Sequence, residues 1–107
     1  MTSITASEYQ AHVERTMGNE DEIDLGLATE VGEVLSLVKG RKFHGKEVPR
    51  DHMLKELGDL QWYVAAKCKT EGFTLDEVMR ANVHKLQVRY PDGFSVEASL
   101  NRTPEDE

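Results

Sequence analysis

The chain has little of what marks secreted, membrane-spanning or nucleic-acid-coating proteins. Its single cysteine, Cys68, allows no intramolecular disulfide and no cysteine-based zinc cluster. Apolar residues are dispersed, and nothing approaches the roughly 18 in succession that a membrane span needs. The segment Met1 to Thr5 lacks a basic region followed by an apolar run, so no secretory signal is expected and the expected compartment is the cytoplasm. Strand signals are scarce too: β-branched residues are scattered and no hairpin dipeptide separates alternating runs. Positive charge is in deficit, with 13 Lys+Arg against 20 Asp+Glu and a formal net charge of -7. That deficit argues against a general nucleic-acid binder, which carries a basic face, and suits a chain that collects divalent cations. At 107 residues the chain is one domain with room for only a modest core, so a homodimer or homotetramer is expected.

What is present is helical punctuation. Thr5-Ala6-Ser7-Glu8 reads as a capping box opening a first helix to about Met17, stopped at Gly18 and Asn19. Glu20, Asp21 and Glu22 suit the start of a second helix, where the macrodipole favours negative charge. Ile23, Leu27, Val31, Val34 and Val38 carry that helix at helical spacing to about Lys39. A basic loop from Gly40 to Arg50 follows, with Gly40, Gly45 and Pro49 as punctuation. A third helix is predicted from Asp51 to Glu71, closed by Gly72 as a left-handed cap. Thr74-Leu75-Asp76-Glu77 is a second capping box, opening a fourth helix to about Arg89 before Pro91-Asp92-Gly93. The fold class is therefore all-α and like a four-helix bundle. It spans residues 1–94, and a loose polar tail spans residues 95–107. From Leu60 to Ala66 the third helix is apolar nearly all round, which suits either a bundle centre or a subunit interface.

Chemistry enters through a repeat. Glu30-Val31-Gly32-Glu33-Val34 and Glu56-Leu57-Gly58-Asp59-Leu60 share the order acid, aliphatic, glycine, acid, aliphatic. Residues three apart on a helix are neighbours, and like charges there repel by about 0.2–0.5 kcal/mol. Stepping about 100° per residue, Glu33 sits near -60° from Glu30, while Leu27, Val31, Val34 and Val38 fall at about 40–100°. Asp59 sits near -60° from Glu56, with Met53, Leu57, Leu60, Val64 and Cys68 at about 40–120°. Both acidic pairs thus flank an apolar stripe on the same side, and both lie about equally far from the intervening loop. Folded as an antiparallel hairpin, the two helices bring four carboxylates to one edge. Such a cluster cannot stay ionised unaided, and a divalent cation resolves the conflict. All-oxygen donors suit Mg²⁺ or Mn²⁺ and disfavour zinc, and the absence of Glu-x-x-His disfavours a di-iron bundle. Gly32 and Gly58 each cost about 1 kcal/mol in a helix interior, for which close approach of a neighbouring helix is the expected compensation.

These residues resemble the MazG-like branch of the all-α NTP pyrophosphatases, whose signature is Glu-Glu-x-x-Glu followed by Glu-x-x-Asp. The match is Glu30 and Glu33, then Glu56 and Asp59, with Thr29 standing where the family has its leading glutamate. Leu60-Gln61-Trp62-Tyr63-Val64 is similar to the family's third helix. Asn82-Val83-His84-Lys85 and Arg89-Tyr90-Pro91 resemble its Asn-x-x-Lys and Arg-Tyr-Pro segment, so the likeness runs from Leu27 to Phe94. The resemblance implies hydrolysis of a nucleoside triphosphate to monophosphate and pyrophosphate. It implies Glu30, Glu33, Glu56 and Asp59 as metal ligands, with Glu30 or Glu33 also touching the attacking water. It further implies Asn82, Lys85 and Arg89 on the triphosphate, with Lys39 and Lys42 as weaker candidates. Trp62 could stack on the base, although an aromatic at such a position is more often core or interface. His12, His44, His52 and His84 share no spacing and read as surface residues. Two other readings stay open. One is a related pyrophosphohydrolase acting on dUTP, dCTP or phosphoribosyl-ATP; the other is a non-catalytic acidic interaction module.

Overall fold

A computed structural model describes residues 2–104. Among the described residues there are five α-helices and no strand: α1 (Ala6–Thr16), α2 (Ile23–Phe43), α3 (Arg50–Thr70), α4 (Leu75–Arg89) and α5 (Val96–Leu100). None of them is long and apolar enough to cross a membrane. Both capping boxes form as predicted. The Thr5 hydroxyl accepts from the Glu8 N–H at 3.1 Å, and the Thr5 N–H donates to the Glu8 carboxylate at 3.2 Å. Thr74 and Glu77 repeat the exchange at 3.1 and 2.8 Å. Gly72, at φ +80°, closes α3 as expected, with the Phe73 N–H donating to the Cys68 carbonyl at 2.8 Å.

Three boundaries differ from the sequence reading. Glu20–Glu22 form a 3₁₀ turn, capped by the Asn19 side chain accepting from the Asp21 N–H at 2.9 Å, and α2 proper begins at Ile23. Gly40 does not end α2. The helix runs through it to Phe43, because a glycine weakens a helix without forbidding it. The stop is Gly45, whose φ of +60° turns the chain while the Lys46 N–H returns to the Gly40 carbonyl at 3.1 Å. Finally, part of the tail is ordered as α5: the Ser95 hydroxyl caps it by accepting from the Ala98 N–H at 3.0 Å. A hydrogen bond from Ser99 also draws the Tyr90 phenol below its usual range. Residues 105–107 of the expected tail lie outside the described residues.

Helices α2 and α3 form an antiparallel hairpin. Its register is marked by Tyr63 lying against Gly26 and by Lys67, whose ammonium sits 2.9 Å from Asp24 and 3.2 Å from Glu71. Helix α1 packs on α3 and α4, so the core gathers at one end of the hairpin. Val13, Ile23, Ala65, Ala66, Cys68 and Leu75 are buried there, with Tyr9, Met17, Trp62, Tyr63 and Val64 packed around them. The apolar run of the third helix is thus a centre within the protomer. At the other end the stripe is only half covered: Val31, Val38 and Leu57 remain 41%, 40% and 46% exposed. The radius of gyration, 16.7 Å, exceeds the ~13 Å of a compact domain this size.

One buried polar group joins the ends of this core. Gln10 on α1 is nearly inaccessible; its amide oxygen accepts from the Leu75 N–H at 2.7 Å and its NH₂ reaches the Phe73 carbonyl at 3.4 Å. It thereby caps α4 from another helix. Replacing Gln10 with Leu leaves a buried N–H unpaired and should cost about 1–3 kcal/mol. Thermal denaturation followed by circular dichroism should show a Tm lower by roughly 4 °C or more; an unchanged Tm would show that the pair contributes nothing.

Candidate metal centre

Glu30 from α2 meets Glu56 and Asp59 from α3 across the hairpin, one carboxylate oxygen from each lying within 4.8 Å of the others. The helical spacing of Glu56 and Asp59 puts them on neighbouring positions of one face, and the antiparallel register brings Glu30 opposite. Glu30 is partly buried, and its Oε2 is inaccessible with no hydrogen-bond partner. Burial first, then the charges of Asp59, Glu56 and Glu33, push its carboxyl above the ordinary glutamate range. Glu33 is exposed and stands outside the three-residue group, although its charge reaches Glu30. The four predicted carboxylates therefore divide into a convergent three and an outlying one.

The Glu56 carboxylate also lies 3.5 Å from Nε2 of His52, four residues earlier on α3. All four histidines are exposed as expected, but this acidic partner was missed; its signal was the i, i+4 spacing. On the α1 side, burial and the Asp59 charge raise the Tyr9 phenol above its usual range. Neither Gly32 nor Gly58 is approached within the protomer, since a β-carbon at either would meet nothing within 4 Å. The expected close approach occurs instead at Gly26, where a β-carbon would overlap the Tyr63 ring. Gly26 precedes the acidic repeat, where the pattern gave no reason to look.

Beside the carboxylates, Glu30, Asp59, Trp62 and Tyr63 line a cleft of about 340 Å³. That is within the range of small-molecule sites. Trp62 therefore borders the carboxylates, its ring set edge-on to Tyr63 with centroids 4.9 Å apart. Asn82, Lys85 and Arg89 are not part of this lining; α4 packs on α1 and α3, and Arg89 stands 5.8 Å over its neighbour Tyr90. Lys39 is exposed, and Lys42 sits 5.8 Å over the Phe43 ring. A larger groove of about 630 Å³ between α1 and the α3–α4 corner holds the Glu14–Lys69 pair and no cluster of acids. Chemistry, not size, singles out the smaller cleft. An all-oxygen donor set with one buried, unspent carboxylate oxygen fits a hard divalent cation.

Residues 19–94 match the family model described as the MazG nucleotide pyrophosphohydrolase domain. The chain belongs to that family. It is also similar to the Gene 37 protein of Mycobacterium phage L5, at 34% identity over 84 residues covering 75% of this chain and 74% of that protein. No solved structure matches the chain. The MazG match takes in α2, α3 and α4 with all three convergent carboxylates, and leaves α1 ahead of it.

Since its folded-state pKa is raised, Glu30 contributes stability that is full below its unfolded value and lost as pH rises through the folded value. At neutral pH without metal, Glu30→Gln should therefore raise Tm, with the two proteins converging as pH falls below the ordinary glutamate range. Any stabilisation that an added divalent cation confers on the wild type should be lost in the same variant. A variant no more stable than wild type at neutral pH would count against this electrostatic account.

Proposed function

We propose that this MazG protein hydrolyses a nucleoside triphosphate, ribo or deoxy, to the monophosphate and pyrophosphate at a Mg²⁺ centre, Mn²⁺ being a possible substitute. The reading is carried by the convergence of Glu30, Glu56 and Asp59 around an oxygen of Glu30 that no hydrogen bond uses. Family membership supports the reaction class. These three side chains would hold the ion, with Glu33 as the fourth ligand or as the group nearest the attacking water. Bound there, the ion neutralises phosphate oxygens and acidifies a water. Glu33, being outside the convergent three, is the carboxylate left to orient that water and accept its proton. Asn82, Lys85 and Arg89 on one face of α4 are assigned to the remaining phosphate charge, and Trp62 to the base.

The working unit is proposed to be a homodimer or homotetramer in the cytoplasm. Val31, Leu35, Val38, Leu54 and Leu57 on the hairpin and Met79, Val83 and Leu86 on α4 are all at least 40% exposed. That is more apolar surface than a small monomer ordinarily shows water. A second copy covering it would complete the core that the extended protomer lacks.

Purified protein with Mg²⁺ and a panel of common nucleoside triphosphates should release monophosphate and pyrophosphate. Asp59→Ala and Glu56→Ala should each lower kcat by more than about a hundredfold. Sedimentation should show a dimer or tetramer. Full activity in Asp59→Ala would remove the carboxylate centre from the reaction, and inactivity on every triphosphate would move the substrate to another nucleotide or favour a binding module. A stable monomer would overturn the assembly.

A further inference from the structure

Trp62 is the chain's single tryptophan, and its indole is clamped from two helices. From α1, the Thr16 Oγ1 accepts the indole N–H at 2.8 Å. Thr16 has one hydroxyl proton, and the Val13 and His12 carbonyls, at 3.0 and 3.1 Å, take it. Its lone pair is therefore aimed away from α1, toward the indole. The indole has no second polar atom, so this hydrogen bond fixes the direction in which its N–H points, within the limits that ring packing leaves. From the hairpin side, Tyr63 meets Trp62 edge-on at 78°, and Tyr63 itself rests against Gly26, where no side chain intervenes. The two rings share their cleft with Glu30 and Asp59. A cleft with carboxylates for a phosphate-bound cation and an aromatic wall beside them suits a ligand carrying both phosphate and a flat ring.

We infer that Thr16 is a positioning residue for recognition of the nucleotide base: its hydroxyl fixes the Trp62 indole in the orientation against which the base is read. The inference rests on the pyrophosphohydrolase reading above and adds to it an element outside the family match, since residues 19–94 exclude α1. The plain alternative is that the Thr16–Trp62 bond only staples α1 to α3. A staple would change stability; a positioning residue changes KM.

The test is steady-state kinetics of the full chain with Mg²⁺ and the common ribo- and deoxyribonucleoside triphosphates, for Thr16→Val, Thr16→Ser, Trp62→Phe and the Val/Phe double variant. Valine keeps the shape of threonine and removes the acceptor. Thr16→Val should raise KM about fivefold to tenfold while kcat stays within about twofold, and Thr16→Ser should restore KM. In the Trp62→Phe background, Thr16→Val should add nothing to KM, because the partner N–H is gone. As the sole tryptophan, Trp62 also reports directly: wild-type emission should change on saturation with the hydrolysed triphosphate in Ca²⁺. Where Thr16→Val does not fold, emission that ignores saturating nucleotide still overturns the inference, and Thr16→Ala supplies the same KM reading. Unchanged KM in Thr16→Val, additive KM effects in the double variant, or emission blind to saturating nucleotide each overturn the inference and leave hydrolysis standing. A wild-type chain that neither hydrolyses nor binds any of these triphosphates overturns the functional reading and the inference together.

Discussion

Glu30, Glu56 and Asp59 repel one another, and the α2–α3 hairpin holds them within reach of one ion in spite of that repulsion. The rest of the molecule can be understood as what keeps the hairpin in register. Lys67 spans Asp24 and Glu71 near the end where α2 begins, and the Tyr63 ring fits against a glycine where any side chain would push the helices apart. Exposed ion pairs contribute little each, so the close ring-to-backbone fit is the stronger of the two devices. A one-residue slip would turn Glu30 about 100° away from Asp59. The acidic centre is therefore a property of the packing one turn along the hairpin from it.

That packing is concentrated at one end. Around the buried alanines of α3 the helices approach closely, which the small side chains of Ala65 and Ala66 allow. Toward the Gly45 turn the aliphatic stripe of the hairpin stays open among the described residues. The acids sit between these regions. One side is anchored by α1 and α3, while the other faces the surface proposed for a second copy.

Local chemistry was legible from the sequence, and distant pairing was not. Thr5, Glu8, Thr74, Glu77 and Gly72 act through neighbours within a few residues, so their roles follow from spacing alone. The acidic repeat was legible for a similar reason: helix periodicity fixes each pair, and a short loop fixes how two helices meet. Gln10 was not, because it bonds to Phe73 and Leu75, more than sixty residues on, and nothing in its surroundings distinguishes it from a surface glutamine. The bond between Thr16 and Trp62 is hidden in the same way. Gly40 and Gly45 look alike in sequence; only the backbone angle separates a glycine that a helix tolerates from one that ends it. Glu33 shows the limit of angular arguments: it has the same spacing from Glu30 as Asp59 has from Glu56, and its charge acts on Glu30, yet only Asp59 joins the cluster.

The placement of Trp62 ties the two halves of the molecule together. Its side chain packs against the buried core, its N–H joins α1 to α3, and the residue borders the carboxylate cleft. Three constraints on one side chain leave it little freedom, and a ring that cannot rotate loses little further entropy when a ligand stacks on it. The same argument extends to α1, which supplies Thr16 to the indole, Tyr9 to the field of Asp59, and Gln10 to the start of α4. Under the proposed reading, the helix that the family match leaves out fixes the orientation of the aromatic side of the site. The acidic side is fixed by the hairpin. Under the proposed reading, a chain can keep its acidic repeat unchanged while variation in its first helix alters which flat ring fits beside it.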